Sequence, residues 1–570
     1  MLEDNGVRRL RAAQHKNLSH PKSRNRKSSP KVVFIVEVDK KRRPRDIGRE
    51  LSKKLGLKSE CEVLFYGRDR GATPDGTVFY RLDLPGLGFD QIEASPFDLA
   101  YRLRSELNAA SVEPDFAVEF YHGYDATARD SAQSETRSFP PGCWDADDWG
   151  QDRTWAISRI EAPEAWAYSA NLGRPEGGRG VLIAQPDTGI RREHVELAEM
   201  FDMKRSKNTL EGGKDVRDPL DHGFLLHPGH GTSTSSVAVS RKGDEVTGSA
   251  PAAKIAPIRA INSVILGEAF QGNIVSATEH ARRTKCHVIS MSFGGLPSLA
   301  TWWAIQRAVK ADLLVMAAAG NCVKIVVFPA AFSNCIAVAG TNPQDQMWKG
   351  SSRGSSVDVA APASQVWRAF KERPDGLNTS VKVGQGTSFA VAVVAGVAAL
   401  WLAHWGRTKL VRDENTATLQ ERFRHLLRKS AVPAEDWDFS NMGTGIVKAE
   451  RLLQERINQT VPKSARLPSK LPKMPGLAAD ILRQIFGTAA GRADAPALGL
   501  TRGEYDAVAL ELIWLAMKRQ QEAVFQMDDS TISHRLGALP GRPSEVLMEI
   551  AKKRKNPLLH KIITPRSLLH

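Results

Sequence analysis

Apolar and polar positions fall into three regimes along the chain. Between residues 31 and 121, short apolar runs alternate with amphipathic stretches. KVVFIVEV, ECEVLFYG, TVFYRLDL and VEPDFAVEFY read as strands, and RDIGRELSKKLGL and SPFDLAYRLRSEL read as helices. The order β-α-β-β-α-β predicts a small ferredoxin-like α+β domain. Its second helix has a well-formed start, with Ser95 as N-cap, Pro96 at the first position and Asp98 near the positive end.

Residues 122–148 are polar, carry paired prolines and show no period, which predicts a linker. From 149 to 456 apolar runs alternate with helical patterns: GRGVLIAQPDTGI, KIAPIRAI, VSATEHARR, HVISMSF, LATWWAIQRAVK, LLVMAAAG and CIAVAG. This is the pattern of a three-layer α/β domain built on a mostly parallel, doubly wound sheet. Residues 457–478, rich in Pro and Lys, read as a second linker, and 479–570 as a small helical domain. Its clearest helix starts at Thr501, where Thr501 and Glu504 have capping-box spacing, and another begins near Ser544. The most apolar stretch, Gly384 to Leu400 (GQGTSFAVAVVAGVAAL), predicts a helix buried on all sides. Ser388 falls on its first turn, where free N–H groups and the helix dipole favour negative charge.

Composition narrows the class. A chain of 570 residues is too long for one core, and roughly two to four domains are expected. No run approaches the ~18 apolar residues of a membrane span, and the first 30 residues lack the apolar core of a signal peptide. The five cysteines (Cys61, Cys143, Cys286, Cys322, Cys335) are scattered without a C-x-x-C pair. Spacing assigns no disulfide, and a cytoplasmic, reducing setting with free thiols is the expectation, Cys322 and Cys335 included. The formal charge of +15 is concentrated at the ends, with eight Lys/Arg in residues 1–30 and six in the last twenty. The expected state of residues 1–30 is a solvated, disordered basic tail rather than a nucleic-acid-binding segment.

Three polar residues interrupt apolar or glycine-rich contexts: Asp187 after a strand, His230 in HPGHGTS and Ser388 in GQGTSFA. Serine needs a base to act as a nucleophile. Histidine titrates near neutrality, and a carboxylate on its other nitrogen fixes tautomer and orientation. Asn321, in MAAAGNC just past another strand, can donate its amide to a developing oxyanion together with the N–H of Ser388.

DTGIRREHVEL, HPGHGTS, VISMSFGG, VMAAAGN, SSVDVAAPA (around Asp358) and GTSFA stand in the order found in subtilisin-like serine proteases, and the chain resembles the subtilase family over about 300 residues. The resemblance implies a serine endopeptidase working through an acyl-enzyme, with Asp187, His230, Ser388 and Asn321 as catalytic residues and no cofactor required. Two departures stand out. The family's His-Val-Ala-Gly after His-Gly-Thr is replaced by Ser233, Thr234, Ser235 and Ser236, and the proline usual after the nucleophile is absent from Phe389-Ala390-Val391-Ala392.

By the same resemblance Ser292, Phe293 and Gly294 pair with the substrate backbone, as does an outer segment at 267–271. Ala318, Ala319 and Gly320 wall the pocket for the residue preceding the cut, and Cys322 and nearby valines supply its floor. A preference for apolar residues of modest size follows. Calcium is a structural option, with Glu196 and Asp244 as its carboxylates. Residues 31–121 resemble the family's propeptide, a chaperone and intramolecular inhibitor, so the linker 122–148 would contain an autoprocessing site and the chain would be a zymogen. The substrates are proteins or peptides, and the helical C-terminal domain would bind a partner of unspecified kind. The competing reading is a protease-fold regulatory scaffold that binds through its basic ends and C-terminal helices.

Overall fold

The computed structural model describes residues 10–14, 31–65, 71–87, 95–115, 152–221, 227–243, 245–266, 271–323, 325–412, 417–468, 470–486, 496–525 and 542–564. The expected linker 122–148, Asp244 and residues 267–270 of the outer substrate segment lie outside them.

The N-terminal domain has the expected element order: β1 (Lys31–Asp39), α1 (Pro44–Leu55), β2 (Glu60–Val63), β3 (Thr77–Pro85), α2 (Pro96–Glu106) and β4 (Ser111–Asp115). Its four strands pair antiparallel in the order β2-β3-β1-β4. Ser95 caps α2 as expected, accepting from the Phe97 amide, with Asp98 returning the bond to the Ser95 N–H. β1 is fully buried at every position from Val32 to Val36, and the reason is that its sheet is covered on both faces. Val32, Phe34 and Val36 pack under α1 and α2 against Leu51 and Leu103. Ile35 and Phe79 point the other way, into a core shared with the second domain. Residues 10–14, expected within a disordered tail, form a helical turn on this domain. Leu10 is buried, and the Gln14 amide donates to the carbonyls of Lys58 and Pro85, both at 2.9 Å.

The second domain is built on a seven-stranded, all-parallel sheet. Its strands are β5 (Leu182–Asp187), β6 (Lys207–Asn208), β7 (Lys254–Arg259), β8 (Val288–Met291), β10 (Leu314–Ala318), β11 (Ile336–Thr341) and β12 (Val359–Pro362). They lie in the order β12-β11-β10-β8-β5-β7-β6, and the short β9 (Gly294–Gly295) sits outside this sheet. Helices α3 (His230–Val239) and α6 (Thr387–Trp405) cover one face, and α4 (Gln271–Arg283) and α5 (Leu299–Lys310) the other. α6 is buried from Thr387 through His404. Among the described residues it is the one helix long and apolar enough to cross a membrane, and it lies wholly in the core.

Helices α7 (Leu419–Ser430), α8 (Met474–Phe486), α9 (Arg502–Phe525), α10 (Glu545–Arg554) and α11 (Pro557–Ile563) follow. α8 begins inside the stretch expected to be linker. Thr501 and Glu504 form the expected capping box of α9, and Ser544 caps α10 through the Leu547 amide. These C-terminal helices do not stand apart. Trp514 of α9 packs on Phe97 of α2 with ring centroids 5.5 Å apart, and both belong to the core shared with α4 and α5.

Candidate active site

Asp187 ends β5 and is buried among main-chain and side-chain donors. Its Oδ1 accepts from the Thr188 amide at 2.7 Å and lies 2.8 Å from His230 Nδ1. His230 is the first residue of α3. The preceding glycine, Gly229, has φ of 76°, and a Cβ there would fall 2.0 Å from the Lys371 carbonyl oxygen, so only glycine fits this turn. Asp218 fixes the same turn, accepting from Gly229 N at 3.0 Å and from Thr188 Oγ1 at 2.6 Å. Burial pushes the Asp218 carboxyl above its ordinary range, against the lowering influence of these donors.

Ser388 is the second residue of α6, as the sequence places it on the first turn. Among the described residues its hydroxyl donates to the Ser292 carbonyl at 3.2 Å rather than to His230, and Ser292 Oγ donates back to the Ser388 carbonyl at 3.2 Å. Rotation of one torsion about Cα–Cβ is what frees the hydroxyl from this resting contact. The Ser388 N–H, in the first helical turn, has no intrahelical acceptor.

Asn321 follows β10 and reaches α6. Its Oδ1 accepts from the amide of Thr387 at 2.9 Å and from the Thr387 hydroxyl at 2.8 Å. Two donors on the oxygen fix which end of the amide is which, and leave Nδ2 as the end free to donate beside Gly386 and Ser388. Thr387, which sequence reasoning passed over, is therefore the residue that orients Asn321. Its signal was its place in GTSFA, next to the serine.

The remaining predicted positions surround this centre. Ser292 and Phe293 connect β8 to β9, whose Gly294 is half-buried, and Ala318, Ala319 and Gly320 close β10. Val327 lies between these walls: a Cβ on Gly294 would fall 2.0 Å, and one on Gly320 2.9 Å, from Val327 Cγ2. The main chain around it is tied down by Val327 N to Ala319 O at 2.9 Å and by a two-way bridge between Phe328 and Gly295. Cys322 accompanies Asn321 with φ of 62° and donates its amide to Gly350 O at 2.7 Å. It is disulfide-bonded, contrary to the expected free thiol, while Cys335 is a free, fully buried thiol, so the two are not partners.

Of the two carboxylates expected for calcium, Asp244 lies outside the described residues. Glu196 is buried, and its Oε2 accepts from Ser240 Oγ at 2.7 Å and from Val246 N at 3.2 Å. No cluster of three or more His, Cys, Asp or Glu suited to a metal occurs among the described residues.

Residues 178–453 match the family model described as the subtilase family. Thermitase from Thermoactinomyces vulgaris is 32% identical over 266 residues, covering 46% of this chain and 86% of the relative. Subtilisin Savinase from Lederbergia lenta is 27% identical over 302 residues, covering 53% of this chain and 98% of the relative. The major intracellular serine protease of Bacillus subtilis (strain 168) is 28% identical over 260 residues, covering 43% and 73% respectively.

Proposed function

The chain belongs to the subtilase family and is a serine-type endopeptidase, and we propose that it is made latent, with its own N-terminal domain seated on the catalytic domain until the connection between them is cut. In the catalytic step proposed for the assembled site, Ser388 Oγ attacks the scissile carbonyl carbon and His230 Nε2 takes the hydroxyl proton. Asp187 holds the imidazole through Nδ1 and stabilises the imidazolium. Negative charge gathering on the carbonyl oxygen is met by Asn321 Nδ2 and the Ser388 N–H. A donor of this kind is worth roughly 3 kcal/mol in activation free energy, a magnitude measured in subtilisin itself, a relative of this chain. Collapse of the tetrahedral species moves the proton from His230 to the leaving amine and leaves an acyl-Ser388, which water hydrolyses by the same route.

The observation that carries the latency reading is the seating of β4. Glu113 and Asp115, on its last turn of chain, bond to the N-termini of α5 and α4 of the catalytic domain. Ile35, Phe65 and Phe79 of the N-terminal domain are buried in the same core as α4 and α5, and Trp303 Nε1 donates to Gly71 O at 2.8 Å. An edge strand that ends in two helix caps, beside an apolar sheet face, is a docking surface, not a tethered passenger. We extend the proposal to the C-terminal helices, whose partner is then this same N-terminal domain: Tyr101 Oη donates to Glu511 at 2.7 Å and the Glu545 amide to Asp98 at 2.9 Å.

Expression of the wild-type chain beside Ser388→Ala tests the reading. Self-cleavage predicts a shortened wild type with a new N-terminus between residues 122 and 148 and an intact Ser388→Ala chain. Two full-length products, or two shortened ones, would refute it.

A further inference from the structure

We propose that Gln185, acting through Thr234, is a positioning residue for the catalytic carboxylate of Asp187; the inference rests on the triad reading above. His230 uses only one oxygen of that carboxylate. The other, Oδ2, is 3.2 Å from Thr234 Oγ1 and 3.4 Å from Gln185 Nε2. Both side chains are buried, Gln185 two residues upstream on β5 and Thr234 one turn into α3.

The direction of the bonds is fixed by what surrounds the Gln185 amide. The Gly231 carbonyl, 2.9 Å from Nε2, can only accept, so the nitrogen end must face it, and the oxygen end then faces Ser235 Oγ at 2.7 Å, whose one proton has Gly231 O at 2.6 Å as its other acceptor. The second Nε2 hydrogen points to Thr234 Oγ1 at 2.6 Å. Thr234 receives that hydrogen and has one proton of its own to give. Its acceptors in reach are the His230 carbonyl at 3.1 Å, the Gly231 carbonyl at 3.4 Å and Asp187 Oδ2. Of these the carboxylate is charged, and a bond to an ionised acceptor is about twice as strong as a neutral one. The result is a relay of donors, Gln185 to Thr234 to Asp187 Oδ2, which stops the carboxylate from turning about its Cβ–Cγ bond and holds Oδ1 toward His230 Nδ1.

Three features exclude a mere filling of space. The hydroxyl-rich run Thr232 to Ser236 is wholly buried in α3, and a buried hydroxyl costs free energy unless it is partnered. Three of the other hydroxyls meet main chain away from the triad: Thr232 accepts from Arg191 N, Ser233 donates to Ala369 O, and Ser236 accepts from Ala369 N; Ser235 lies between Gln185 Oε1 and Gly231 O. Thr234 alone in this run reaches a triad atom, and Gln185 is the residue that directs it there.

The test compares Gln185→Met, Thr234→Val, their double variant and Thr234→Ser with the wild type in the self-processed enzyme. Loss of the relay predicts kcat lower by about tenfold for Gln185→Met and for Thr234→Val, with KM held within about twofold. The double variant should lose no more than either single change, because the two act in series. Thr234→Ser, which keeps the hydroxyl, should restore kcat. The His230 Nδ1–H proton resonance should move in Gln185→Met and Thr234→Val and return in Thr234→Ser. Unchanged kcat in the first two variants, or equal losses in Thr234→Val and Thr234→Ser, would overturn the proposal. An inactive wild type would instead strike at the triad reading; the resonance needs no turnover, and its failure to move in the variants would by itself overturn the relay.

Discussion

Glu113 and Asp115 sit two residues apart on β4, and each occupies the N-terminus of a different catalytic-domain helix. Glu113 Oε2 accepts from Ser298 Oγ at 2.7 Å and its Oε1 from Leu299 N at 2.9 Å, at the start of α5. Asp115 Oδ1 accepts from Gln271 N at 3.1 Å and its Oδ2 from Gly272 N at 3.0 Å, at the start of α4. Alternate residues of a strand share a face, so one strand presents both carboxylates to two adjacent helices at once. Each satisfies orphan N–H groups and meets the positive end of a helix dipole.

Removing both caps should loosen the docked domain. Loss of one N-cap costs about 1 kcal/mol, so Glu113→Ala with Asp115→Ala should raise the undocked population roughly thirtyfold. The readout is the rate at which a fluorophosphonate labels Ser388 with the N-terminal domain present, whether or not its connection has been cut. An unchanged rate in the double variant would mean that these carboxylates do not hold the domain in place.

The same contact makes docking depend on pH. Burial pushes the Glu113 carboxyl up to about 7, against the lowering effect of Ser298 and Leu299; undocked and solvated it would titrate near 4.3. A group raised in the docked state takes up a proton on docking. Its contribution is full below the undocked value and is lost as pH rises through the docked one. Glu511, at the junction of the C-terminal helices with α2, is raised to about 7 by burial and acts in the same sense. Labelling of Ser388, corrected for the pH dependence of the isolated mature enzyme, should therefore accelerate between about pH 5 and about pH 8. Glu113→Gln, which keeps an acceptor oxygen but does not titrate, should flatten that rise. An identical rise in the variant would assign the pH dependence elsewhere.

Much of this was legible in the residues themselves, and the exceptions have physical causes. Sheet class followed from strands alternating with helices, because parallel strands buried on both faces leave apolar signatures such as LVMAA. Asp187, His230, Ser388 and Asn321 were candidates by their place near strand ends and helix starts and took their roles from the family resemblance; the fold brings Asp187 Oδ1 to 2.8 Å from His230 Nδ1. The docking of β1 was written into its unbroken apolar run as well, since a sheet with one wet face would alternate. What could not be read was contact across distance. Nothing local in ELIWLAMK says that Trp514 meets Phe97, and nothing in IAQPD says that Gln185 will find Thr234 49 positions later. Residues 10–14 were misjudged because charge density concealed Leu10 and Gln14, the two side chains that the fold buries.

The junction between α2 and the C-terminal helices centres on Glu511, which is fully buried and accepts from Tyr101 Oη at 2.7 Å, Ser544 Oγ at 2.8 Å and the Ser544 amide. Tyr101→Phe removes one donor from a buried carboxylate, at a cost of about 1 to 3 kcal/mol. The change should appear as faster amide exchange in 96–106 and 545–554, with exchange in α6 unaltered. Uniform acceleration through α6 would show instead that the junction stabilises the whole chain and not this contact.

Val327 sets the last expectation. Its methyl group lies where side chains on Gly294 or Gly320 would project, so it fills the slot between two walls that glycine has left open. If that slot receives the residue before the cut, the pocket accepts small apolar side chains and excludes large ones. Val327→Gly removes three carbons from it. A methylene's worth of pocket volume discriminates by about 1 to 3 kcal/mol, so the variant should raise kcat/KM for peptides with Phe at that position relative to Ala by at least about tenfold. Val327→Ala should fall between the two. A Phe-to-Ala ratio that stays constant across the three enzymes would place the pocket elsewhere, because no other route lets a change at Val327 leave selectivity untouched while the slot is in use.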